Sequence, residues 1–84
     1  MRRFEKVFGK VVRKRRREMG LSQEDLGYLS GLHRTYISEI ERGLKSSSLR
    51  AVVSIAAALE VPVSTLMRET EKQLANELIA SEGD

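Results

Sequence analysis

Apolar residues along this chain recur at intervals of three and four, and nowhere do they alternate over a strand-length run. From Phe4 to Met19, the positions Phe4, Phe8, Val12 and Arg15 or Arg16 step along one side, which predicts a first helix. Gly20 suits its C′ position, because glycine takes the left-handed conformation without steric cost. Leu21 is expected to pack inward and Ser22 to cap a second helix, with Glu24 and Asp25 in the first turn complementing the dipole. Two short amphipathic segments lie at the centre of the chain. Gln23 to Leu29 sets Leu26 and Leu29 three apart, and His33 to Arg42 sets Ile37 and Ile40 three apart. Only Ser30-Gly31-Leu32 separates them, and a glycine there allows the sharp reversal of a helix-turn-helix. His33 stands at the capping position of the third helix, and Gly43 is its stop.

Leu44 to Ser48 is the longest polar connection, and its three serines offer N-caps for a fourth helix. Leu49, Val52, Val53, Ala56 and Leu59 fit the i, i+3, i+4, i+7 pattern of that helix. The single proline, Pro62, disfavours helix at Val61 and suits the first turn of a new one. The last segment runs from about Val63 to Ile79, with room for a break near Glu69-Thr70. The expected fold is all-α, a compact five-helix domain with the helix-turn-helix at helices 2–3.

Composition narrows the function. Eighty-four residues suit one small domain, which buries only about 60–65% of the surface its unfolded chain exposes. Dimerisation is a natural way to add burial. With no cysteine there is neither a disulfide framework nor a thiolate metal site, and one histidine cannot form a histidine cluster; no metal and no cofactor are expected. No apolar run approaches the ~20 residues of a membrane span, and the basic N-terminus lacks the apolar core of a signal peptide, so a cytoplasmic location with no membrane partner is expected. Charge is polarised. Residues 1–20 hold nine Lys/Arg against two Glu, whereas residues 49–84 hold three basic and six acidic groups. Taken alone, such a run is usually a solvated face; beside a helix-turn-helix it suggests an oriented polyanion contact.

If Ile37 and Ile40 face inward, then Arg34, Thr35, Ser38 and Glu39 face outward, with Tyr36 at the edge. Hydrogen-bonding groups of several kinds on one helix face suit base edges in a major groove. Catalysis has little to stand on: the carboxylates Glu24-Asp25 are accounted for by the helix dipole, and no glycine-rich phosphate loop comes after a strand. Four aromatic residues are too few for the stacking platforms of an RNA binder.

Three strings together carry a family resemblance: GKVVRKRRREMGLSQEDLG, then ISEIERG, then S-L-x-x-V-x-x-I-A-x-A-L-E-V. Over roughly residues 8–68 the chain resembles the Cro/CI-type (lambda-repressor-like, XRE) helix-turn-helix family. Within that family, LHRTYISEIERG resembles the controller proteins of restriction–modification systems. The resemblance implies a homodimer that binds a pseudo-palindromic operator in double-stranded DNA and regulates its own operon. It implies that Gln23 contacts phosphate and braces the recognition helix, and that Arg16 pairs with Glu41. Arg34, Thr35 and Glu39 match base-reading positions, with His33, Tyr36 and Ser38 beside them. Arg42, Lys45 and the serines Ser46, Ser47 and Ser48 match the loop that grips phosphate. Glu39 could accept from cytosine N4 or simply repel wrong sequences. Pro62 departs from the family pattern, where a capping Ser or Thr is common.

Residues 1–68 are thus expected to form the DNA-binding domain. Residues 69–84 would form a helical extension with a frayed acidic end, and the stripe Leu66, Thr70, Leu74, Leu78 of the last segment would serve the two-fold interface. The bland alternative is a helix folded back on its own domain. RNA polymerase is a further candidate partner. A second functional class is an antitoxin-like protein whose tail captures another protein; loss of residues 70–84 would then abolish capture rather than dimer formation.

Overall fold

Each helix begins and ends where local chemistry sets it. The computed structural model describes residues 3–82; Gly83 and Asp84, at the expected frayed acidic end, lie outside the described residues. Five helices run in order: α1 (Arg3–Glu18), α2 (Gln23–Ser30), α3 (Arg34–Glu41), α4 (Leu49–Ala58) and α5 (Val63–Glu82), with no strand among the described residues. Ser22 and Asp25 close a reciprocal capping box at the start of α2, with both bonds at 2.9 Å. At the other end, Gly31 takes a left-handed φ of 73°, and the Leu32 N–H returns to the Gly27 carbonyl at 2.9 Å. The α4–α5 corner uses the same geometry without glycine: Glu60 holds φ at 62°.

The core is shared among all five helices. Val7, Phe8, Val11 and Val12 of α1 meet Leu26 of α2, Ile37 and Ile40 of α3, Val52, Ile55, Ala56 and Leu59 of the α4 region, and Leu66 of α5. Two glycines permit the closest crossings. A Cβ on Gly9 would lie 2.6 Å from the Glu41 carbonyl oxygen, and one on Gly27 would lie 2.6 Å from that of Leu32. These approaches let α1 rest on the end of α3, and α2 rest on the turn.

Several expectations fail here. Leu29 is 54% exposed, because Gly27 rather than Leu29 flanks Leu26 on the inner side of α2. Leu49 (86%) and Val53 (57%) also face out, since the inner face of α4 is centred on Ala51, Val52, Ile55 and Ala56. Leu21 is only half-buried. Pro62 immediately precedes α5 rather than sitting in its first turn. No break occurs near Glu69-Thr70; α5 runs through it.

The largest correction concerns the expected dimer stripe. Leu66 and Thr70 are fully buried in their own domain, with the Thr70 hydroxyl donating to the Leu66 carbonyl at 2.8 Å. They cannot face a second copy. Leu74 is half-buried and Leu78 exposed. The helix does fold back: α5 lies along α1, and Arg15 forks onto Glu69 (Nε to Oε1 2.9 Å). A boundary between residues 68 and 69 therefore falls inside a continuous helix whose contacts with α1 extend to Glu77.

Candidate nucleic-acid interface

The third helix, α3, is fastened from the inside. Ile37 and Ile40 are buried, and at its end Glu41 turns a carboxylate inward. Arg16 of α1 meets it bidentately, with Nε to Oε2 at 2.6 Å and a terminal nitrogen to Oε1 at 3.0 Å. The remaining guanidinium nitrogen donates to the Leu21 carbonyl at 2.7 Å, and Gln23 Nε2 donates to Glu41 Oε1 at 3.1 Å. The side chains of Arg16 and Glu41 are 9% and 2% exposed, so both charges depend on each other for solvation. This hydrogen-bonded carboxylate holds the Arg16 guanidinium above its already high ordinary pKa. One carboxylate thus joins α1, α2 and α3.

The outer face is free by contrast. Arg34 and Thr35 are exposed, Ser38 and Glu39 half-buried, and no side-chain partner engages Arg34 among the described residues. Arg34, Thr35 and Ser38 line an open hollow together with Ser22, Gln23 and Glu24 from the start of α2. His33 caps α3: its Nδ1 accepts the Thr35 N–H at 3.0 Å, which leaves the ring proton on Nε2, the nitrogen away from the cap. The Asp25 carboxyl lies below its ordinary value because the Ser22 backbone N–H, and then its hydroxyl, hydrogen-bond to it.

The loop after α3 is more committed than expected. Ser48 caps α4, its hydroxyl accepting the Ala51 N–H at 3.1 Å, and Ser46 donates to Glu5 at 2.9 Å. Ser47 is half-buried. Lys45 Nζ lies 3.5 Å from Glu39 and 5.0 Å above the Tyr36 ring, and the Ser48 N–H reaches the Tyr36 hydroxyl at 3.5 Å. Arg42 is exposed, with Nε 3.4 Å from the Ser38 carbonyl. Of these residues Arg16 and Glu41 are buried, and the hydroxyl of half-buried Ser47 is itself shielded from solvent.

Much of the basic N-terminal run is paired with carboxylates of the same domain, which the expectation of a polyanion contact did not foresee. Arg15 pairs with Glu69, Arg16 with Glu41, Lys14 with Glu18, and Arg3 and Lys10 with Glu77. The acidic tail lies beside the basic front because α5 lies beside α1. Arg13 and Arg17 remain exposed and without an ion pair among the described residues. Sequence reasoning missed Gly9, Gly27 and the reciprocal role of Asp25; S-x-x-D before an apolar position was the available signal for the last.

Five helices, a glycine turn and an exposed third helix fixed from within define an all-α, lambda-repressor-like DNA-binding domain. The Helix-turn-helix family model HTH_3 matches residues 12–66, and the chain belongs to that family of DNA-binding transcription regulators. It is similar to the control protein C.SmaI of Serratia marcescens, 38% identical over 74 residues, 88% of this chain and 86% of that protein. It is also similar to the control protein C.BamHI of Bacillus amyloliquefaciens, 44% identical over 62 residues, 73% of this chain and 76% of that protein. Among solved structures, the restriction-modification controller protein C.AhdI from Aeromonas hydrophila superposes with a TM-score of 0.72 at 41% identity, covering 73% of this chain and 92% of that one.

Proposed function

We propose that this protein is an operator-binding transcriptional regulator that acts as a homodimer and controls a restriction–modification-type operon, its own included. The observation that carries this reading is the contrast on α3: Arg34 and Thr35 stand exposed and uncommitted, while Glu41 at the far end is bolted to Arg16 and Gln23. Such a helix arrives at a major groove already ordered, so little side-chain entropy is lost in holding it there. Arg34 reads guanine O6 and N7, and Thr35 offers its hydroxyl, or its methyl to thymine. The His33 Nε2 proton, Ser38, Arg42 and the exposed N-terminus of α2 at Gln23 contact phosphate. The similarity to controller proteins named for restriction–modification systems supports the choice of operon. Action on an operator would place the protein with the DNA of the cytoplasm.

With Leu66 and Thr70 buried, the two-fold interface requires another apolar surface. Leu49 and Val53 project from α4, and a hollow beside Leu49 is lined by Phe4, Phe8, Val63 and Met67. On α5 the stripe Val63, Met67, Leu74, Leu78 lies beside the buried one, at helical spacing. A second copy packed on these residues would set two α3 helices about 34 Å apart, one turn of DNA. RNA polymerase is a further partner in this reading.

The test is selection of duplexes from a random library, with sedimentation of the protein on the selected and a scrambled duplex. A two-to-one complex that prefers a two-fold symmetric sequence by about a thousandfold supports the proposal. A monomer that binds all duplexes alike, with strong salt dependence, overturns it.

A further inference from the structure

Glu39 presents a difficulty that the surrounding geometry resolves. It lies on the same outward face as Arg34 and Thr35, one turn further along α3, so a DNA-facing surface carries a carboxylate among cations. An unscreened carboxylate at that place repels the phosphates on either side of the groove. Here it is screened. Lys45 Nζ sits 3.5 Å from Glu39 Oε1, and the same ammonium lies 5.0 Å over the Tyr36 ring. The Tyr36 hydroxyl accepts the Ser48 N–H at 3.5 Å, which ties the ring to the cap of α4. Lys45 is thus held between a carboxylate and an aromatic face, on the connection between α3 and α4. Glu39 is half-buried, with a side chain 34% exposed, so its carboxylate stays partly open toward solvent.

We infer that Lys45 is a positioning residue for base readout: it neutralises and aims Glu39, which then acts as an acceptor specific for the amino group of cytosine. A carboxylate has two oxygens and about four acceptor positions, so one can hold the ammonium while the other accepts cytosine N4–H. Thymine and adenine are handled differently. Thymine O4, an acceptor, faces the carboxylate with lone pair against lone pair; the adenine N6 amino group is tolerated, but its neighbouring N7 offers only a second acceptor. Guanine presents two acceptors and is disfavoured most. The pair therefore selects at one operator position, separate from the one read by Arg34. This inference rests on the DNA-binding reading above and adds a role to a lysine that otherwise contacts phosphate only.

A lysine that serves only phosphate predicts something different from a lysine that serves Glu39. In the first case, Lys45→Gln weakens every duplex alike, and by the same factor whether or not Glu39 is present. In the second, losing Lys45 leaves an unscreened carboxylate against DNA, so the loss is larger with Glu39 in place. The experiment measures binding of the wild type, Lys45→Gln, Glu39→Gln, the double variant and Lys45→Arg. Each is tested against the selected operator and against operators changed at each position, with circular dichroism confirming helical folding. Expected are a preference for cytosine at one position that falls roughly tenfold or more in Glu39→Gln, and a Lys45→Gln penalty several-fold smaller in the Glu39→Gln background. Lys45→Arg should keep the preference. Additive penalties, or a cytosine preference unchanged by Glu39→Gln, would overturn the inference while leaving the regulator reading intact. If the wild type itself selects no sequence, that reading fails first and the inference falls with it.

Discussion

Two arginines mark the two tasks that this chain assigns to its basic side chains. Arg16 is buried and paired; Arg34 is exposed and uncommitted. Replacing Arg34 with alanine should cost about 1–3 kcal/mol on the selected operator and far less on scrambled DNA, as measured by equilibrium binding. It should leave the unfolding midpoint nearly unchanged. Arg16→Leu should do the reverse. It strands the Glu41 carboxylate in a buried site, so urea denaturation should show a loss of about 3 kcal/mol or more, a large share of what so small a domain has. Acid gives a second residue-scale test. The Arg15 guanidinium holds the Glu69 carboxyl below its ordinary 4.5, and Ser22 holds Asp25 below 3.8. A carboxyl with a lowered folded-state pKa stabilises above its unfolded value, and the effect is lost as pH falls through the folded one. Stability should therefore drop below about pH 4.5, and Glu69→Gln should flatten the first part of that drop in pH-dependent unfolding curves.

Among the elements, legibility in the sequence obeys a physical rule. The positions of all five helices are readable, because caps and stops are local: Ser22, His33, Ser48, Gly31 and Gly43 act within a few residues of themselves. The Arg16–Glu41 pairing is readable only through family resemblance, since its partners lie 25 positions apart. Which flank of each helix turns inward is harder to read. Leu29, Leu49 and Val53 obey helical spacing yet face solvent, because a smaller neighbour, Gly27 or Ala51, takes the inner contact. Apolar spacing defines a stripe but not its rotation. The same ambiguity misplaces the α5 stripe, where Thr70 reads as a surface position and is buried. Two substitutions test packing at this scale. Gly9→Ala drives a methyl into the carbonyls of Ile40 and Glu41 and should destabilise by about 1–3 kcal/mol, read by thermal unfolding. Glu60→Gly relieves a left-handed non-glycine residue at the α4–α5 corner and should stabilise by up to about 1 kcal/mol in the same assay.

At the scale of the whole molecule, polarity of charge has been turned into architecture. The basic first helix and the acidic last one neutralise each other side by side, so the basic excess of residues 1–20 overstates what is left for DNA. Raising salt should therefore weaken operator binding with a slope set by the groups around α3, and Arg13→Ala with Arg17→Ala should change it less than Arg42→Ala. Paired Leu49→Asp and Val53→Asp substitutions should shift the protein toward monomer in sedimentation while its helical content persists; a dimer untouched by them would move the interface elsewhere. The inward fastening of α3 has one more consequence. The groups that fasten this helix from within (Ile37, Ile40, Glu41 and the Arg16 fork) are buried, and the exposed side chains of Arg34 and Thr35 are not among them. The scaffold is therefore indifferent to the message. If α3 reads an operator as proposed, its outer residues can be exchanged one at a time without passing through an unfolded intermediate, and two copies of such a gene in one cell would be free to diverge into regulators that ignore each other's sites.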